Sequence, residues 1–213
     1  MARSLTHSWQ HTLQDLRLQG QHGTLRDRLV TRYAEPHRKY HTLQHLGECL
    51  TEFDGARDFA LRPGEVGIAL WFHDAIYDLA RHDNEAQSAD WAVAELKLAG
   101  AADDVCARVH ALIMATKHSL LPQTDDEQLL VDIDLSILGA APGRFDEYES
   151  QVRDEYTAVP EPDFQRRRRQ ILQGFVAREV IYATPWFHNR LEVQARSNLA
   201  RSIAALAGSD DAG

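Results

Sequence analysis

Gly67-Ile68-Ala69-Leu70-Trp71-Phe72-His73-Asp74-Ala75-Ile76-Tyr77 is the stretch on which the reading of this chain turns. Read as a helix, it is apolar on nearly every face, so it should be mostly buried. Two ionisable neighbours, His73 and Asp74, stand in its middle, and burying them is costly without compensation. Two arrangements compensate them. A metal ion accepts electron pairs from a neutral imidazole and from a carboxylate. Alternatively, the two side chains bond to each other with a purely structural duty.

Upstream lies Glu35-Pro36-His37-Arg38-Lys39-Tyr40-His41-Thr42-Leu43-Gln44-His45-Leu46. At helical spacing His37, His41 and His45 form one i, i+4, i+8 stripe, roughly opposite the apolar stripe of Leu43, Leu46, Leu50 and Phe53. The histidines therefore either face solvent or line a polar cleft. One helical turn separates such side chains by about 5–6 Å, a recurrent spacing for metal binding or acid–base work. The adjacent Arg38 adds the chemistry of an anion site.

Downstream, Leu129-Leu130-Val131-Asp132-Ile133-Asp134-Leu135-Ser136-Ile137-Leu138-Gly139 sets two aspartates apart. Helical phase places Asp134 at the centre of the stripe made by Leu130, Val131, Ile137 and Leu138, and Asp132 about 160° away. A carboxylate in an apolar stripe needs a partner, either a cation or a buried arginine. Asp132 is expected to be exposed or to act behind the ligands.

Other residues carry weaker signals. Glu85, at the start of the next helix, either orients a water or is an acid favoured by the helix dipole. Lys117 and His118, closing the helix that begins near Ala102, either hold phosphate or satisfy the last helix carbonyls. Arg153 and Tyr156 have the reach and chemistry for a phosphate.

Composition bounds the rest. Of 213 residues, 44% are hydrophobic and 26% charged, the balance of a globular chain. Thirty-two acidic against 23 basic side chains give −9, which disfavours non-specific binding to nucleic acid or membrane surfaces. Without interleaved aromatics, the run Arg166–Arg169 reads as a solvated helix face. Cys49 and Cys106 cannot build a disulfide framework and read as small buried apolar groups. No signal-peptide core and no apolar stretch near about 18 residues is present, so the expected compartment is the cytoplasm. Helix follows helix between breaks such as Gly20–Gly23, Pro36, Pro63-Gly64, Gly100, Pro142-Gly143 and Pro185. The expectation is all-α: one domain over 1–207 and a disordered tail over 208–213.

Together, the order His…His-Asp…Asp on helices resembles the HD superfamily of metal-dependent phosphohydrolases. Tyr40-His41-x3-His45 and Asp134-Leu135-Ser136 resemble the histidine pair and the last ligand segment of cyclic-nucleotide phosphodiesterases. Along most of its length the chain is similar to a group of small bacterial HD phosphohydrolases whose substrate is unassigned. The resemblance rests on Glu35-Pro36-His37-Arg38-x-Tyr40-His41, Trp71-Phe72-His73-Asp74-x-Ile76-Tyr77-Asp78, Asn84-Glu85-x2-Ser88-Ala89, Asp132-x-Asp134-Leu135-Ser136-Ile137-Leu138-Gly139 and Arg153-x-Glu155-Tyr156.

That resemblance implies a helical bundle of the HD type, with His45, His73, Asp74 and Asp134 as metal ligands. By the phosphodiesterase comparison His41 is the proton donor to the leaving oxygen. Two-metal members use further histidines, often adjacent in a later helix; here only His110 and His118 are available, which favours one metal with His118 near the phosphate. The implied reaction is hydrolysis of a small phosphorylated metabolite or nucleotide by metal-activated water, with Arg38, Lys117 and His37 offsetting charge. Imidazole and carboxylate ligands leave Mn, Mg, Co, Ni, Zn and Fe open. Two alternatives stand beside it: a di-iron oxygenase on the same scaffold, and a non-catalytic nucleotide-binding module. Oligomeric state is not read from the sequence.

Overall fold

The computed structural model describes residues 2–18, 23–118 and 121–208. They are all-helical, with no strand among them. No helix among the described residues is long and apolar enough to cross a membrane. The chain falls into two compact units, Met1–Asp134 and Leu135–Gly213. No proline or glycine marks that division, because it falls inside Asp134-Leu135-Ser136, where an α-helix tightens directly into a 3-10 turn. Of the expected tail, Gly208 still closes the last helix, and 209–213 lie outside the described residues. The break at Gly20–Gly23 lies mostly outside them too; Gly23 opens a helix.

Unit 1 contains α1 (Ala2–Asp15), α2 (Gly23–Tyr33), α3 (Leu43–Ala56), α4 (Pro63–Phe72), α5 (Asn84–Leu98), α6 (Asp103–Ala115) and α7 (Asp125–Asp134). The fold of this unit is organised around α4, which touches α1, α3, α5, α6 and α7. Pro63 supplies a pre-set φ at the first helical position, and the Asp126 carboxylate accepts from the N–H groups of Leu61 (2.8 Å) and Arg62 (3.1 Å). Every residue from Gly64 to Phe72 is buried; from Gly67 onward this is what the all-round apolar pattern predicts, and the buried Glu65 carboxylate is paired with Arg108 at 2.7 Å. Burying Leu70 or Phe72 contributes about 1.5–3 kcal/mol each. Two glycines let α1 approach: a Cβ on Gly64 would meet the Leu16 nitrogen at 2.6 Å, and one on Gly67 the Thr12 hydroxyl at 2.7 Å.

Three expectations about unit 1 need correction. His73 and Asp74 do not sit inside a helix: α4 ends at Phe72, and His73 caps it with its N–H on the Ala69 carbonyl. The stripe His37-His41-His45 is not helical either. Thr42 is the N-cap of α3, its hydroxyl accepting from the Gln44 N–H, so the helix starts at Leu43 and residues 35–42 form turns. Of the two alternatives for Asp132, exposure falls: it is 1% exposed, because α7 is covered by α3, α4 and α6.

Unit 2 starts with the 3-10 turn Leu135–Gly139 and continues through α8 (Pro142–Glu155), α9 (Glu161–Val176) and α10 (Pro185–Gly208). The Asn198 amide on α10 donates to the carbonyls of Leu138 (2.9 Å) and Ala140 (2.8 Å). The run Arg166–Arg169 is not uniformly solvated. Arg166 and Arg167 are exposed, but Arg168 is buried, ion-paired with Glu149 and lying over the Tyr148 ring at 5.0 Å.

Candidate metal centre

Four side chains from three segments of unit 1 converge: His45 from the first turn of α3, His73 and Asp74 from the end of α4, and Asp134 from the last residue of α7. The Nε2 atoms of His45 and His73 are 3.1 Å apart. Asp74 Oδ2 lies 3.0 Å from His73 Nε2 and 3.4 Å from His45 Nε2. Asp134 Oδ1 lies 3.2 Å from His45 Nε2 and 3.5 Å from His73 Nε2. Donors about 2.1 Å from one ion stand about 3.0 Å apart at a right angle and about 3.4 Å apart at a tetrahedral one. The observed spacings fit that range, and two carboxylates facing two imidazoles balance a divalent charge. The imidazole side chains are sealed (3% and 1% exposed), whereas Asp74 and Asp134 keep 19% and 14%, so the centre opens on its carboxylate side.

Hydrogen bonds around the cluster orient it. His73 Nδ1 lies 2.8 Å from the Leu70 carbonyl, which requires a proton on Nδ1 and leaves Nε2 to face the cluster. Asp134 divides its oxygens: Oδ1 faces the two imidazoles, and Oδ2 is 3.0 Å from His118 Nε2. His118 has φ +53°, a left-handed conformation uncommon for a side-chain-bearing residue, directly beside the centre.

The titration of the cluster follows from the same contacts. Burial would drive the proton from His73, but Asp74, Tyr33 and hydrogen bonds to Asp134 and Asp74 outweigh it and hold the imidazole well above its ordinary pKa. His45 goes the same way: Cys49, Tyr40, Asp134 and Asp74 overcome burial. Burial pushes the Asp74 carboxyl up, yet His73, His41 and hydrogen bonds from both ligand histidines hold it well below the usual range. Asp134 is likewise held low against burial by His118, His45 and His73. The centre therefore favours protonated imidazoles beside ionised carboxylates, and a cation held there would compete with those protons.

The structure distributes the remaining expected residues unevenly. His41 is half-buried, its ring stacked on Tyr77 at 4.2 Å and 6.0 Å from the His45 ring. His37 is exposed, with Nε2 2.9 Å from the Tyr77 carbonyl. Arg38 is buried, and its guanidinium is committed to main-chain carbonyls rather than held out for an anion. Lys117 is exposed, with Nζ 3.4 Å from the His82 carbonyl. Glu85 is half-buried in the first turn of α5 and makes no hydrogen bond or ion pair with the described residues. Arg153 and Tyr156 belong to unit 2. There Arg153 bonds Glu161 and the carbonyls of Tyr156 and Val159, which ties the end of α8 to the start of α9.

Sequence reasoning passed over Cys49. It lies one turn beyond His45, and its Sγ is 3.7 Å from both ring nitrogens of that histidine. Ligand atoms of His45, Cys49, His73 and Asp134 all fall within 4.8 Å of one another, a set able to hold a metal ion. The signal was the i, i+4 spacing of His45 and Cys49, hidden because a buried cysteine on a helix also reads as core. Equal distances to two nitrogens place the sulfur against the ring rather than along either lone pair. Comparison with protein-family models, with curated proteins and with solved structures finds no match for this chain.

Proposed function

We propose that this protein is a metal-dependent phosphohydrolase of the HD type acting on a small phosphorylated metabolite or nucleotide. The observation that carries the reading is the convergence of His45, His73, Asp74 and Asp134 at donor spacings of 3.0–3.5 Å. When bound, a divalent ion supplies Lewis acidity toward water and toward a phosphoryl oxygen. The four ligands hold it, and their nitrogen and oxygen donors leave Mn, Mg, Co, Ni, Zn and Fe all open.

The chain's own groups do the rest. His41 donates a proton to the leaving oxygen from its seat on Tyr77. His118 holds one oxygen of Asp134 and keeps the other turned to the ligands. The exposed Lys117 ammonium offers charge to a phosphate at the carboxylate-side opening. Arg38 does not bind substrate in this reading, and neither do Arg153 and Tyr156. The net charge of −9 supports a small ester or anhydride over a polyanionic polymer, so neither nucleic acid nor membrane is a partner. Chelated protein assayed against nucleotides and sugar phosphates, with each divalent ion re-added, tests the proposal. Turnover that returns only with metal, and falls mainly in kcat in His41→Ala with its metal retained, is expected. Undiminished turnover by metal-free protein contradicts it.

A further inference from the structure

We infer that Arg38 is a positioning residue that locks the Asp74 ligand and the His41 backbone into one frame; the inference rests on the metal-centre reading. Arg38 is 3% exposed. Among the described residues its carboxylate partner is Glu35, 3.2 Å from Nε. The two terminal nitrogens go to main-chain oxygens: one reaches both the Asp74 carbonyl (2.6 Å) and the His41 carbonyl (3.1 Å), the other the Ala75 carbonyl (3.1 Å). The rings of Tyr33 and Tyr77 each lie 5.3 Å from the guanidinium carbon and fix its plane.

Capping the end of α4 would explain the bonds to Asp74 and Ala75. It does not explain the His41 carbonyl, which lies three residues beyond Arg38 in the turn that precedes α3 and is remote from α4 in sequence. One nitrogen shared by the two carbonyls fixes their separation, and with it the placement of a metal ligand against the segment that carries His41. The other side of the Asp74 residue is held as well: its N–H donates to the Tyr33 hydroxyl at 3.3 Å, and that hydroxyl donates to the Trp71 carbonyl. Asp74 is thus clamped at both of its peptide groups. A lysine keeps the charge but cannot present a planar fork to three carbonyls.

The test is Co2+ binding to the chelated full-length protein, read by titration and by the visible absorption of the bound ion. Arg38→Lys should bind Co2+ about 10–100-fold more weakly, the usual cost of losing a partner behind the ligands, with an altered visible band. Arg168→Lys removes a comparably buried arginine of unit 2 and should lose stability while keeping wild-type affinity and spectrum. A folded Arg38→Lys protein that matches wild type in both readouts overturns the inference, as does an equal loss in Arg168→Lys. Should Arg38→Lys not fold, Glu35→Gln loosens the Nε contact and carries the test. A smaller loss with the same spectral change supports the inference, and no change overturns it. Wild-type protein that binds no Co2+ is a separate result: it removes the metal-centre reading, and this inference with it.

Discussion

Two clusters, one in each unit, bury ionisable groups in opposite ways. In unit 2 the Glu192 carboxylate, 7% exposed, accepts from the N–H groups of Ile181 and Tyr182 and from Arg196 Nε at 2.8 Å. Arg196 in turn donates to the carbonyls of Val176, Arg178 and Glu179. Each charge there meets either an opposite charge or a backbone dipole, and together they pin the chain between α9 and α10. In unit 1 two imidazoles and two carboxylates point at one another, with no arginine or lysine among them. Burial of charge alone therefore does not mark a functional site. A guanidinium bonded to carbonyls is scaffold, whereas imidazole and carboxylate donors that converge on one point are able to hold a cation. Arg38 belongs to the scaffold class although it stands beside the centre.

The comparison breaks first at Asp134. Asp134→Asn should cost more metal affinity than the about 10–100-fold typical of partners behind the ligands, because an amide is a poorer donor and leaves the ion's charge uncompensated. Asp132→Asn, two residues away and equally acidic, should stay within that range. Metal content measured in the two proteins side by side checks this, and the reverse order would reassign the ligand.

Glu192→Gln tests the scaffold side. It weakens charge-assisted bonds to two N–H groups and Arg196, so a loss of about 1–3 kcal/mol in chemical denaturation is expected with metal binding unchanged. A change in metal affinity would show that the two kinds of cluster are not independent.

The smallest effect is on pH dependence. In the metal-free protein the raised pKa values of His45 and His73 contribute stability fully present below their ordinary value of 6.5 and lost as pH rises through the folded values. The depressed carboxyls contribute stability present above 3.8 and lost as pH falls through theirs. Chelated wild type should therefore exceed chelated His73→Ala in stability most clearly between about pH 4 and 6.5 and lose the advantage on the alkaline side. An advantage that grows toward alkaline pH would contradict the proton-holding cluster.

The sequence showed much of the fold and of the centre because both rest on local chemistry. The apolar character of Gly67–Phe72 leads directly to a buried helix, whereas the stripe that placed Asp134 at its centre does not hold as one face, because α7 ends at Asp134 and Ile137 and Leu138 lie in a 3-10 turn. The burial of Asp132 was hidden, since helical phase locates one apolar face and cannot show that helices cover the other. The turn over residues 35–42 was hidden because His37, His41 and His45 keep helical spacing although Thr42 caps the helix behind them. Arg38 could not be read as scaffold, because its partners are carbonyls, which every residue carries and no side-chain pattern announces. Arg153 and Arg168 escaped for a different reason: their carboxylate partners, Glu161 and Glu149, lie across a turn or on a neighbouring helix.

The most direct test of the account is X-ray absorption at the cobalt edge of the Co2+-loaded protein, with metal stoichiometry measured on the same sample. The account predicts about one ion per chain surrounded only by nitrogen and oxygen at about 2.0–2.2 Å, with His45, His73, Asp74 and Asp134 as the ligands. A sulfur neighbour at about 2.3 Å would replace Asp74 by Cys49 in the ligand set, and failure to bind cobalt stoichiometrically would contradict a metal centre altogether.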